Sequence, residues 1–271
     1  MARAIPDDNL AYPVLITLAQ GGSGSGFFLN TSHSEFFVTA KHVLFGNTGA
    51  LVAPACSLVS YARDPNENAK NEFHLDLQQL NVAGQAVAHS TADVAVVRIG
   101  TVHDTAVTPL PGVTVATVAP SGILGVAEQS VRTFSDVLVA NEVFIFGYPT
   151  SIGLKNVPQI DYERPLLRKG IIAGKNEGLK TLILDCPVYW GNSGGPVLEV
   201  ESQGLTKRFK VVGVVSQLIP LVETWKNETQ GYQNIDVSNS GYSVASPMDP
   251  VMELVSGFAP KPDVLCNREH R

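Results

Sequence analysis

One serine in Gly191-Asn192-Ser193-Gly194-Gly195-Pro196 is bracketed by glycines and followed by a proline. A nucleophilic serine needs an exposed hydroxyl on a tight turn, with backbone N–H groups aimed at the oxyanion it generates. Glycines permit the positive φ and the close substrate approach that such a turn requires. The plainer alternative is a Gly-rich hairpin turn. A serine is a weak nucleophile without an adjacent base. His42, which ends the stretch Phe36-Phe37-Val38-Thr39-Ala40-Lys41-His42, is a candidate base. A single histidine there is otherwise a structural or solvent-facing residue. Such a base is oriented by a carboxylate, and Asp93 heads the run Val94-Ala95-Val96-Val97. A charge at that place is costly unless paired; the alternative is an Asp capping a strand-edge turn.

The elements that must position these three residues read as short strands. The chain has 271 residues, with 24 Gly and 17 Pro as frequent breakers. Apolar runs at 14–18, 26–29 and 36–38 are split by polar turns. Phe73, Leu75 and Leu77 alternate with polar residues, the period of a half-buried strand. Val94 to Ile99 is a continuous run, as in a strand buried on both faces. Further strands are predicted at 142–148, 170–173, 181–184, 195–200, 209–216 and 242–245. Helical signals are confined to a turn around Ala40–Leu44 and to Pro250–Ser256, with Asp249 as N-cap and Gly257 just past the end. The stretch Glu223–Ser240 reads as a long surface loop. About six strands per half suit two β-barrels or sandwiches better than a βαβ sheet.

The order His42, Asp93, Ser193 is the chymotrypsin order, not that of subtilisin or of the α/β-hydrolases. Thr39-Ala40-Lys41-His42 resembles the TAxH segment of the trypsin-like (chymotrypsin-fold) serine proteases. Asp93-Val94-Ala95-Val96 resembles their D-hydrophobic-A-hydrophobic segment, and Gly191–Pro196 resembles GDSGGP with Asn for Asp. Ser23-Gly24-Ser25-Gly26-Phe27, Phe146-Gly147-Tyr148-Pro149 and Val212-Gly213-Val214-Val215-Ser216 are similar to bacterial members near the high-temperature-requirement proteases. The resemblance implies an all-β fold of two six-stranded antiparallel β-barrels with a short C-terminal helix. The halves would be residues 1–110, carrying His and Asp, and 128–258, carrying Ser, joined by a crossover at 111–127 and followed by a tail at 259–271. It implies Ser193 as nucleophile, His42 as general base then acid, and Asp93 as the group that holds the imidazole tautomer. The backbone N–H groups of Gly191 and Ser193 would form the oxyanion hole, and Val214, Val215 and Ser216 the edge that pairs with an extended protein or peptide substrate.

The same resemblance places Pro187, Gly241 and Ser243 at the primary specificity pocket. Pro187, six residues before Ser193, offers no charge, which predicts an apolar residue on the amino side of the cut. Glu223, Glu228 and Asp236 are the carboxylates that could supply one. Where secreted digestive members have Cys after the catalytic His, this chain has Val43. Asn192 stands where they pair an Asp with a newly cut amino terminus, so activation by terminal insertion is not expected. Only 14 residues follow Gly257, and no C-terminal peptide-binding module is expected.

Composition excludes several other classes. Lys plus Arg is 19 and Asp plus Glu 25, a net charge of -6 without a basic run, so no nucleic-acid or membrane partner is expected. His33, His74, His89 and His103 are scattered and read as surface or turn residues; no metal or cofactor is expected. Cys56, Cys186 and Cys266 cannot all pair within the chain, and the first 12 residues lack the apolar core of a signal peptide. The expectation is a cytoplasmic protein, the alternative being an exported one whose leader has been removed. No residue pattern sets an oligomeric state. Two competing functions remain: a catalytically silent binding module that keeps the cleft, and an α/β-hydrolase esterase. The second also fits Gly191–Gly195 but needs an Asp and a His after the Ser, and the only later His is His270.

Overall fold

The computed structural model describes residues 5–104, 106–149, 161, 164–203, 206–227 and 229–259. The first half holds β1 (Pro13–Leu18), β2 (Ser23–Asn30), β3 (Ser34–Thr39), α1 (Lys41–Leu44), β4 (Ala55–Tyr61), β5 (Lys70–Asp76), α2 (Leu77–Val82), β6 (Ala86–Ala88), β7 (Ala95–His103), β8 (Ala106–Pro109), β9 (Val113–Thr117) and β10 (Val126–Ala127). The second holds β11 (Glu142–Gly147), β12 (Leu166–Asn176), β13 (Thr181–Asp185), β14 (Pro196–Gln203), β15 (Thr206–Asn227), β16 (Tyr232–Pro247) and α3 (Asp249–Ser256).

The fold is all-β in two halves, with a short C-terminal helix. The second half closes as a six-stranded barrel, β11-β12-β13-β16-β15-β14. The first half differs in strand count from the expected six. It is a ten-stranded sheet in the order β6-β7-β3-β2-β1-β4-β5-β9, with β10 on β2 and β8 on β7. No hydrogen-bonded ladder joins β5 to β6 among the described residues. The chain between them is α2, which buries Leu77 and Leu80 in the same core. Leu77, which continued the alternation of β5 in the sequence, is therefore the first helical residue. The Asp76 carboxylate stops the strand by accepting from the Gln79 N–H at 2.8 Å, an N-cap. The segment 111–127 carries β9 and β10, each paired to the first sheet.

The continuous apolar runs are explained by strands that serve two cores. Phe28, Phe37 and Val97 point into the first half, while Phe27, Leu29, Phe36, Val38 and Val96 point the other way. There they meet Phe144, Phe146, Leu198, Val214 and, from α3, Val251 and Val255. Val143, Ile145, Leu184, Val197 and Val215 fill the second barrel. Successive strand residues face opposite sides, so this shared middle layer locks the halves together. Removing one of its phenylalanines would cost about 3–5 kcal/mol.

Two local expectations are corrected. Met248, not Asp249, is the N-cap of α3; the Asp249 carboxylate instead accepts from the Phe134 N–H at 2.7 Å. The segment 223–240 is not a loop: β15 and β16 pair through it as a long ribbon, with register from Pro220↔Asn239 to Asn227↔Tyr232.

Candidate active site

Each of the three chemistry-bearing residues sits where regular structure ends. His42 is on the single turn α1, immediately after β3, which is buried along its length. Asp93 lies just before β7, in the short loop after β6. Ser193 is on the turn that leads into β14, between Gly191 at φ 98° and Gly194 at φ 90°. A Cβ on Gly194 would fall 2.0 Å from the Ser25 carbonyl oxygen. Only glycine fits there, both for its φ and for the close approach.

His42 and Asp93 are joined twice. Nδ1 of His42 lies 2.8 Å from Asp93 Oδ2, and the His42 backbone N–H donates to Oδ1 at 3.0 Å. The first contact fixes the tautomer: Nδ1 carries the proton and Nε2 is left as acceptor. Ser216 donates its hydroxyl to the same Oδ2 at 2.5 Å. Burial pushes the Asp93 carboxyl up, but hydrogen bonds from His42 and Ser216 and the adjacent imidazole outweigh it. The carboxyl is held below its ordinary value.

Ser193 is half-buried, and its hydroxyl donates to the Ser216 carbonyl oxygen at 3.2 Å. No hydrogen bond joins it to His42 among the described residues. The N–H groups of Gly191 and Ser193 have no hydrogen-bond acceptor among the described residues, while the neighbouring amides do. Asn192 N–H is taken by the Tyr189 carbonyl at 2.9 Å, and Gly194 N–H by the Val215 carbonyl at 2.7 Å. Two free N–H groups flanking a serine are the donor pair that a developing oxyanion requires.

Ser25 holds this turn from the opposite half of the molecule. Its N–H donates to the Ser193 carbonyl at 2.8 Å and its hydroxyl to the Gly191 carbonyl at 2.7 Å. The same hydroxyl accepts from the Tyr148 N–H at 3.0 Å. The carbonyls of the turn are thereby fixed on the Ser25 side. Asn192 is buried, and its Oδ1 accepts from the Tyr189 N–H at 3.1 Å. An amide suits this place: the oxygen is satisfied within the turn and needs no positive partner.

The loop that carries Asp93 is held by His89, which sequence reasoning left as a surface or turn residue. Its Nδ1 accepts from the Ala92 N–H at 2.9 Å, and its carbonyl accepts from Lys41 Nζ at 2.9 Å. The side chain is only 12% exposed, with Nε2 3.4 Å from Glu253 on α3.

The residues expected to face a substrate are placed unevenly. The side chains of Val214 and Val215 lie in two different cores. The Val215 N–H and carbonyl are already bonded to Gly195 and Gly194. The edge left open by β14 therefore begins at Ser216, not at Val214. Pro187 is half-buried, Gly241 has φ 89°, and Ser243 is buried with its hydroxyl on the Cys186 carbonyl at 2.8 Å. The Arg168 guanidinium stacks 4.6 Å above the Tyr189 ring, and Asp185 pairs with Tyr242 across β13 and β16. Glu223 and Asp236 are exposed and face one another across the ribbon. Glu228 and Cys266 lie outside the described residues. Cys56 and Cys186 are free and buried, their thiols pushed up to about 12 and about 11 by burial. No group of acidic, His or Cys side chains able to hold a metal is found among the described residues. Nor is any helix there long and apolar enough to cross a membrane.

Comparison with known proteins adds a family assignment. The family model described as trypsin-like peptidase domain matches residues 24–213. No curated protein sequence matches the chain. Among solved structures, the HtrA-type protease AlgW with a tripeptide is similar at TM-score 0.51 and 14% identity, over 93% of this chain. This chain spans only 63% of that structure's length. Human heparin binding protein is similar at TM-score 0.54 and 10% identity, covering 96% of this chain and 98% of the other. At such identities the likeness is one of fold. One of these structures is titled a protease and the other a binding protein, so the fold alone does not choose between catalysis and binding.

Proposed function

Because the chain belongs to the trypsin-like peptidase family, we propose that it is a serine endopeptidase using His42, Asp93 and Ser193. The observation that carries this reading is the pairing of His42 Nδ1 with Asp93 Oδ2 at 2.8 Å, beside a Gly-flanked serine whose turn keeps two N–H groups free. A catalytically silent module has no chemical need for that combination.

In this reading a substrate chain lies along the open edge of β15 and takes over the Ser216 carbonyl as acceptor for one of its N–H groups. The Ser193 hydroxyl, released from that carbonyl, turns to His42 Nε2. Its oxygen attacks the scissile carbonyl carbon while the proton passes to Nε2. The carbonyl π electrons become an oxyanion held by the Gly191 and Ser193 N–H groups. Asp93 stabilises the imidazolium without taking its proton. Collapse of the tetrahedral species expels the amine, which receives the proton from His42. Water then repeats the sequence on the acyl-enzyme and frees Ser193.

The pocket wall favours a small or medium apolar residue on the amino side of the cut. Pro187, Gly241 and Ser243 offer no charge to pair with a Lys or Arg. A desolvated, unpaired cation there would cost several kcal/mol.

The test is incubation with an unfolded protein followed by identification of the new chain ends. New ends produced by the wild type and not by Ser193→Ala support the reading. Ends produced equally by both variants would refute it.

A further inference from the structure

We infer that the arm formed by β15 and β16 beyond Pro220 is a docking edge for the substrate chain on the amino side of the scissile bond. The inference rests on the peptidase reading above and extends it to the substrate class: an unfolded, extended polypeptide read well beyond the cleft.

The arm is a two-stranded ribbon with no other strand against it among the described residues. Leu221, Val222, Trp225, Tyr232, Ile235 and Val237 on it are 47% to 65% exposed. A lone two-stranded ribbon is marginal in water, and clustered exposed apolar groups mark an interaction surface.

Continuity with the cleft identifies the occupant. β14 pairs with β15 only as far as Pro196↔Val214, so the edge of β15 that faced β14 is unpaired from Ser216 onward. One strand thus runs from the residue that contacts both Ser193 and Asp93 out to Asn227. A chain antiparallel to β15 has its carboxyl end at Ser216, beside Ser193, and its amino-terminal residues toward Asn227. A register shift lies between Leu218 and Pro220, where Ile219 alone faces Ser240, Gly241 and Tyr242, so the extra residues belong to β16 and the outer edge of β15 runs on without an insertion. Beyond it, Pro220 sets the phase. Proline is tolerated where its missing N–H faces away from the partner strand. The alternation of a strand then turns the N–H groups of Val222, Thr224 and Lys226 outward as well. These are the donors a bound chain would meet.

The side chains define the chemistry of that chain. Val222↔Val237 and Thr224↔Ile235 lie on one face, and Glu223↔Asp236 lie opposite each other on the other, which also carries Leu221, Trp225 and Tyr232. Like charges directly opposed are unfavourable, and a Lys or Arg of the substrate relieves them. The arm therefore suits an extended chain with alternate apolar residues and a basic residue upstream of the cut. A second copy of this chain is a poorer occupant. Each face of the arm carries only three of the six apolar side chains, short of the ~800 Å² per partner of a stable interface.

The test compares a fluorogenic tetrapeptide confined to the cleft with the same peptide lengthened on its amino side by a ten-residue apolar and lysine-containing segment. Lengthening is expected to raise kcat/KM by about tenfold or more, the worth of a few backbone hydrogen bonds. Thr224→Pro should remove that gain and leave the short peptide unchanged. Glu223→Lys, at an exposed position, should reverse the preference from a lysine-containing to a glutamate-containing extension. Equal kcat/KM for short and long peptides in the wild type would overturn the inference and leave the peptidase reading standing. So would ribbon variants that dissociate an oligomer in sedimentation while long-peptide cleavage is unchanged. If the wild type cleaves neither peptide, the peptidase reading falls, and binding to Ser193→Ala by fluorescence anisotropy decides the arm alone. Length-dependent binding lost in Thr224→Pro supports it, and equal binding of both peptides overturns it.

Discussion

The Ser216 carbonyl oxygen accepts the Ser193 hydroxyl at 3.2 Å while the Ser216 side chain donates to Asp93 at 2.5 Å. One residue therefore holds the Ser193 hydroxyl and steadies the carboxylate paired with His42. Ser216→Ala keeps the carbonyl and loses only the bond to Asp93. A hydrogen bond to a charged group contributes about 1.5–3 kcal/mol, so kcat is expected to fall by about 10- to 100-fold with KM little changed. Steady-state kinetics on a short peptide checks this; an equal rise in KM would assign Ser216 to substrate binding instead.

Ser25 is expected to act through the oxyanion turn. Ser25→Ala removes the hydroxyl that ties the Gly191 carbonyl to Tyr148 and keeps the N–H bond to Ser193. Loosening a donor pair costs up to about 10²–10³ in kcat when a donor is lost outright, and a positioning loss should be smaller. Affinity for a peptide boronate, which forms a tetrahedral adduct, should weaken more than affinity for a product peptide. Parallel weakening of both would mean that Ser25 serves the fold and not the turn.

Much of the site was legible because its residue types are rare in their surroundings. An Asp heading an apolar run and a Ser among glycines stand out from a strand-rich background. The strand runs were legible because Phe27, Phe28 and Leu29 all face a core, leaving no polar interruption. The ribbon was not, since both its faces are solvated and its alternation carries no burial signal. Helix α2 was hidden because Leu77 continues the period of β5, and six residues are too few to show a helical one. His89 and Ser25 were missed as positioning residues because the bonds by which they hold their loops go to backbone groups, which leave no trace in residue type.

Glu35 should make stability fall as pH rises. It is buried on β3 with no hydrogen-bond partner among the described residues, and burial pushes its carboxyl up to about 7 from an ordinary value of 4.5. The folded state binds this proton more tightly than the unfolded one. Its contribution is full below the ordinary value and is lost as pH rises through about 7, a loss on the order of 3 kcal/mol. Asp93 has the opposite sign. Its carboxyl is depressed, so its contribution is present above pH ~4 and is lost on acidification below that. Urea unfolding at pH 5 and pH 8 should show the wild type weaker at pH 8, and Glu35→Gln should abolish the difference. A slope that survives Glu35→Gln would place the titrating group elsewhere.

Cleavage should favour Val, Ala, Leu or Met immediately before the cut over Lys or Arg. Selectivity among these four should be modest, because one methylene is worth only ~1–3 kcal/mol. A peptide panel varied at that position decides it. A strong preference for Lys or Arg would show that a carboxylate enters the pocket.

The central claim is that Ser193 is a nucleophile activated by His42, and covalent labelling tests it most directly. A fluorophosphonate probe should add once per chain, with the adduct mapped to Ser193 by peptide mass analysis. Ser193→Ala should not label, and His42→Ala should label more slowly by roughly 10³-fold or more, since the two act as one unit. Each variant should melt near the wild-type temperature. A folded wild type that does not label, or a His42→Ala variant that labels at the wild-type rate, would contradict the account.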